Sequence, residues 1–181
     1  ERFYVYIDLS RSGEWVVIEV ASKTSGEVHL VPAAAPATPA RLVRPRTDDL
    51  EYSLEHWGDQ WLVLTNDQAT DFRVMTAPID QPGQWTEFVP HVAGRRITSV
   101  EAFADHVVVH EWADAQPRLR VLFRDGSQRT VHGADEPHDL ELESNPEFHA
   151  STVRYVVQSL TRPVTVYEED VRTGDRTVLK Q

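Results

Sequence analysis

Cysteine is absent from all 181 positions, which excludes disulfide scaffolds, thiolate metal sites and cysteine nucleophiles. Positive charge is scarce: 18 Lys and Arg stand against 29 Asp and Glu, a formal net charge of −11. That balance argues against nucleic acid or an anionic lipid surface as the main partner. No apolar run approaches the ~18 residues of a membrane span, and Glu1-Arg2-Phe3-Tyr4 does not read as a signal peptide. What is present is ordinary in amount. A hydrophobic fraction of 40% is too high for a disordered chain and enough for one domain with its own core. The first and last residues lie directly against strand-like segments, the pattern expected of a piece of a larger protein.

The apolar residues recur with period two. Tyr4–Leu9, Trp15–Val20 and Glu27–Val31 are rich in β-branched and aromatic residues, and Ser12-Gly13-Glu14 and Ser25-Gly26 between them are turn chemistry. Pro32 to Ala40 is a Pro/Ala loop, because its three prolines fix φ and remove donors. Leu42-Val43-Arg44 closes the group as a short fourth strand. The plan repeats: Leu50–Trp57, Trp61–Thr65, Phe72–Ala77 and Trp85–Val89; then Ile97–Phe103, His106–Trp112, Arg118–Arg124 and Gln128–His132; then Leu140–Ser144, Thr152–Leu160, Val164–Val171 and Arg176–Leu179. Asp125-Gly126 and Thr173-Gly174-Asp175 mark hairpin turns.

The groups begin near 4, 50, 97 and 140, a spacing of 43–47 residues. Four-stranded propeller blades repeat at roughly 40–50 residues. The predicted fold is therefore all-β, a β-propeller segment of about four four-stranded blades over residues 2–46, 50–90, 96–133 and 139–181. Sixteen strands are many for the alternative, a β-sandwich. Composition leaves open whether four blades form a small ring or an arc of a larger one.

Several segments in succession resemble the oligopeptidase B branch of the prolyl oligopeptidase family. They are Glu1-Arg2-Phe3-Tyr4, Ser10-Arg11-Ser12-Gly13, Glu51 to His56, Thr65-Asn66-Asp67 leading into Asp71-Phe72-Arg73-Val74, Phe103-Ala104-Asp105-His106 and Asn145-Pro146-Glu147-Phe148. Ser159-Leu160-Thr161-Arg162-Pro163, Val166-Tyr167 and Thr173-Gly174 resemble the blade that ends that family's propeller. The resemblance implies a cytoplasmic serine endopeptidase with a seven-bladed propeller capping an α/β-hydrolase domain, cleaving short peptides after Arg or Lys. The peptidase domain would be absent from this chain, leaving a non-catalytic propeller that gates and caps the active site. Its partners would be that hydrolase domain and short basic peptides, with no nucleic acid, no membrane and no cofactor. The bare flanks of the first and last groups would make the fragment prone to self-association. A protein-interaction propeller and a carbohydrate-binding β domain are the rival readings.

The residues themselves offer no catalytic set. None of the ten serines sits in Gly-x-Ser-x-Gly, the elbow that exposes a nucleophile. His106 and His110 have a zinc-like spacing, but on a strand they stand about 13 Å apart, so no metal ligand is assigned. Asp135, Glu136, His138 and Asp139 lack calcium-loop spacing and read as a solvated loop. Of the five tryptophans, Trp15 and Trp61 read as packing between blades, and Trp85, after Pro82-Gly83, as exposed. The candidate site is acidic. Glu141 and Glu143 alternate with leucines and so share a face, and Glu51 and Glu55 do the same after Asp48 and Asp49. On first strands of blades these four carboxylates would line a central channel and attract cationic peptides.

Overall fold

The structure is a computed structural model that describes residues 2–181; Glu1, the first residue of one resemblance segment, lies outside the described residues. Sixteen strands and no helix are present among the described residues. They form four antiparallel sheets of four strands, each paired in chain order.

The first sheet contains β1 (Tyr4–Leu9), β2 (Trp15–Ala21), β3 (Gly26–Pro32) and β4 (Arg41–Leu42); the second contains β5 (Tyr52–Trp57), β6 (Gln60–Thr65), β7 (Arg73–Pro78) and β8 (Thr86–Val89). The third contains β9 (Arg95–Ala102), β10 (His106–Ala113), β11 (Gln116–Phe123) and β12 (Gln128–Val131). The fourth contains β13 (Asp139–Leu142), β14 (Thr152–Gln158), β15 (Thr165–Asp170) and β16 (Arg176–Lys180). The expected fourth strand of the first group, Leu42-Val43-Arg44, is displaced to Arg41–Leu42, although the Val43 N–H still reaches the Val28 carbonyl at 2.9 Å.

The chain divides into two compact units, Glu1–Ala93 and Gly94–Gln181. In the first, the inner face of the first sheet (Val17, Val28 and Leu30) packs on Leu54, Trp61, Val63 and Met75 of the second. Aromatic rings carry much of that contact. Trp15 meets Trp61 edge-on at 5.3 Å, and His56 meets the same ring at 5.3 Å. Such pairs contribute about 0.5–1.5 kcal/mol beyond the area they bury. The Tyr52 hydroxyl ties the two sheets together, accepting from the N–H groups of Val28 (3.1 Å) and Arg44 (3.3 Å) and donating to the Arg44 carbonyl (2.8 Å).

In the second unit, Val108, Leu119, Val121 and Phe123 of the third sheet pack on Leu140, Val153, Tyr155 and Val157 of the fourth. Charge is buried here as well. Glu111 on β10 is 1% exposed and accepts from Arg118 Nε (2.9 Å) and Arg120 Nη2 (2.8 Å), with Arg95 at 3.7 Å. Glu169 on β15 is 3% exposed and accepts from the Tyr155 hydroxyl and from Arg129. Burial and the neighbouring carboxylate push the Tyr155 phenol well above its ordinary range.

The outward faces of the first and fourth sheets differ. Antiparallel partners share a face, so Val5–Val20, Ile7–Ile18 and Leu9–Val16 all project from the side of the first sheet turned away from the second. Every residue of β1 is exposed, Ile7 at 68%. The corresponding face of the fourth sheet carries Glu141 beside Val156 and Arg154 beside Glu168, the last pair joined at 2.7 Å.

Trp85 departs from its expected exposure. It is half-buried, with the Arg44 guanidinium 3.5 Å above its ring, Tyr52 edge-on at 5.1 Å, and Nε1 donating to the Pro82 carbonyl at 2.9 Å. The cover comes from Arg44, far away in sequence.

Candidate functional site

The four predicted carboxylates lie on or beside the first strands of their sheets. Glu55 is within β5 and Glu141 within β13, while Glu51 immediately precedes β5 and Glu143 immediately follows β13. Glu51 and Glu55 belong to the first unit, and Glu141 and Glu143 to the second.

The pairs differ in how free they are. Glu141 and Glu143 are exposed. Glu141 stands close enough to His110 to oppose the burial that lowers the His110 pKa. Among the described residues, Glu143 Oε2 accepts only from the N–H of its neighbour Ser144, at 2.9 Å. Glu55 is half-buried, and its Oε1 accepts from the N–H groups of Arg11 (3.3 Å) and His56 (2.9 Å), drawing it toward the β1–β2 hairpin. Glu51 is also half-buried. Asn66 brackets it: Oδ1 accepts the Glu51 N–H at 2.9 Å and Nδ2 donates to Glu51 Oε1 at 3.3 Å.

Other sequence candidates are engaged locally. His106 stacks on Phe103 at 4.4 Å within β10 and its flank. His138 Nδ1 meets the Glu136 carbonyl at 2.8 Å; the Glu136 carboxylate pairs with Arg162 at 3.2 Å, and its own backbone N–H, followed by Arg162, holds its carboxyl below the usual range. Among the described residues no group of three His, Cys, Asp or Glu side chains could hold a metal ion.

Sequence reasoning missed Glu111 and Glu169, whose charges are hidden inside sheets. It also missed the cleft beside Glu51, lined by the β2–β3 turn and Phe72.

Four-stranded antiparallel sheets in series, stacked face on face within each unit, are propeller blades. Residues 1–181 match the family described as prolyl oligopeptidase, N-terminal β-propeller domain, and the chain belongs to that family. Dipeptidyl aminopeptidase BI of Pseudoxanthomonas mexicana is 37% identical, over 100% of this chain and 25% of that protein. Protease 2 of Moraxella lacunata is 24% identical, over 99% of this chain and 26% of that protein. Oligopeptidase B of Trypanosoma brucei, in a closed form with covalently bound antipain, superposes with a TM-score of 0.91 at 28% identity, covering 98% of this chain and 27% of that one. The chain spans about a quarter of the length of the curated relatives it matches.

Proposed function

We propose that this chain is a non-catalytic propeller segment of an oligopeptidase B-like serine peptidase that cleaves short peptides after Arg or Lys. The propeller would cap and gate an α/β-hydrolase domain carried elsewhere in the same parent chain, in the cytoplasm. The family match over the whole chain is the observation that supports this reading. The exposed Glu141 and Glu143 support the preference for basic peptides: in a channel they would raise the local concentration of cations, over a range of about 8–10 Å at physiological salt. The apolar free face of the first sheet supports self-association of the isolated fragment.

The test is cleavage of Arg- and Lys-containing short peptides by the full-length parent, as a function of salt. Changing Glu141 and Glu143 together to Gln is expected to flatten the salt dependence of kcat/KM and to leave kcat unchanged. Unaltered salt dependence removes the steering role. A second reading follows from the 37% identical relative, whose name describes release of dipeptides from an amino terminus. Blocking the substrate's amino group by acetylation discriminates: an endopeptidase tolerates it and a dipeptidyl aminopeptidase does not.

A further inference from the structure

At one end of the first two sheets a cleft of about 170 Å³ opens to solvent, lined among others by Ser22, Ser25, Glu51, Tyr52, Ser53 and Phe72. Ligand pockets for whole small molecules are generally about 300–1,000 Å³. A space of this size takes a single long side chain.

Its walls are fixed. The Gly26 N–H bonds to the Leu50 carbonyl at 3.0 Å, pinning the β2–β3 turn against the start of β5. Ser22 and Ser25 hold one another through their hydroxyls at 3.1 Å. On the other side the Asn66–Phe72 segment is built of successive tight turns, with the Ala69 N–H on the Asn66 carbonyl and the Phe72 N–H on the Ala69 carbonyl, each at 2.9 Å. Phe72 has φ of 65°, a left-handed conformation that glycine adopts at far lower cost. Backbone strain of this kind persists where the surroundings over-determine it, and it concentrates at ligand sites.

The chemistry of the lining is one-sided. Glu51 Oε1 is occupied by Asn66, while its Oε2 takes no hydrogen bond among the described residues. Asp48 and Asp49, in the turn just before, add negative charge and are exposed. The cation nearest in the hydrogen-bond network, Arg46, is already engaged: Nη1 donates to the Ser25 carbonyl and hydroxyl, each at 3.1 Å, and Nη2 to the Val20 carbonyl at 2.5 Å. An open carboxylate oxygen, an aromatic residue and hydroxyl acceptors together suit an ammonium or guanidinium group on an apolar stem.

We propose that this cleft is a subsite for one Lys or Arg side chain of a bound peptide, with Glu51 Oε2 as the charge partner and Phe72 as the apolar wall. The inference rests on the peptide-processing reading above and deepens it, by adding a local contact that is distinct from the residue at the cleaved bond.

The test uses the full-length parent and a short, uncleavable all-D peptide, blocked at both ends, with one Lys; its twin carries norleucine in place of Lys. Binding is read by fluorescence anisotropy. Wild type is expected to prefer the Lys peptide about fivefold, in line with one partly exposed ion pair plus one cation–aromatic contact. Glu51→Gln keeps the Asn66 bond and is expected to reduce that preference at least threefold. Phe72→Leu, which keeps a bulky apolar residue at that backbone, is expected to weaken it about twofold. Thermal melts of each variant establish that it is folded. A preference that survives Glu51→Gln in a folded variant overturns the proposal. Absence of Arg/Lys cleavage with the binding ratio intact overturns the peptidase specificity and spares the subsite.

Discussion

The Glu1–Ala93 unit joins its two sheets through aromatic rings, with Trp15, His56 and Trp61 at the centre, and leaves an aliphatic face bare. The Gly94–Gln181 unit joins its sheets through aliphatic residues and tyrosines, holds two buried carboxylates by arginine, and leaves a charged face. The strand order is the same in both. One blade template therefore accepts two kinds of cohesion: area and ring contacts, which tolerate changes in conditions, and ion clusters, which depend on every partner being present. It also accepts two kinds of free surface. One is sticky, and the other is hydrated and open to steering.

The largest effect comes from breaking the ion cluster. Glu111→Ala leaves three arginines around an empty site, and removing one partner of a buried pair costs about 3–5 kcal/mol. Urea denaturation read by fluorescence is expected to show the second unit losing that stability while the first keeps its own. Trp61→Ala, with a cost of about 3–5 kcal/mol for a fully buried ring, is expected to invert the pattern. Uniform loss from both units in either variant would show that the two melt as one.

The free faces come next. Ile7→Glu with Ile18→Glu places charge in the middle of the bare face, where each isoleucine would otherwise contribute about 1.5–3 kcal/mol to an association that buries it. Light scattering of the isolated chain is expected to show self-association weakened more than tenfold. Val156→Glu on the fourth sheet, beside Glu141, is expected to change it little.

The smallest effect lies in the tight hairpins. In the first unit the β5–β6 turn uses Gly58 at φ 67°. In the second, the β10–β11 turn is built from Asp114 and Ala115 at φ 53° and 58°, without glycine. Ala115→Gly is expected to raise stability by about 0.5 kcal/mol, since relief of the left-handed strain outweighs the extra chain entropy. Gly58→Ala is expected to lower stability by about 1 kcal/mol. Thermal melts of the two variants check the pair.

Those hairpins also show what the sequence reveals. Asp125-Gly126 and Thr173-Gly174 are legible because glycine advertises positive φ, found at 82° and 83°. Asp114-Ala115 carries no such signal, since strand pairing from Trp112–Pro117 inward imposes the turn. The period-two pattern identifies the strands because it reports which side of a sheet is buried. It does not reveal Glu111, whose polar letter reads as a solvent position until Arg95, Arg118 and Arg120 arrive from neighbouring strands. Trp85 escapes for the same reason, its cover being Arg44. Of the four acidic candidates, Glu55 and Glu141 lie on first strands as the alternation indicates, while Glu51 and Glu143 fall just outside them. The unequal freedom of their carboxylates was not legible, because Arg11 and Asn66 approach them only through the fold.

The Tyr52 hydroxyl has a further consequence. It belongs to the second sheet, yet it caps the amides of Val28 and Arg44 in and after the first. Hydrogen exchange at those two amides is therefore governed by the lifetime of the neighbouring sheet rather than of their own. A single phenol makes these two adjacent sheets share a fate, so they gain cooperativity at their junction instead of fraying one at a time.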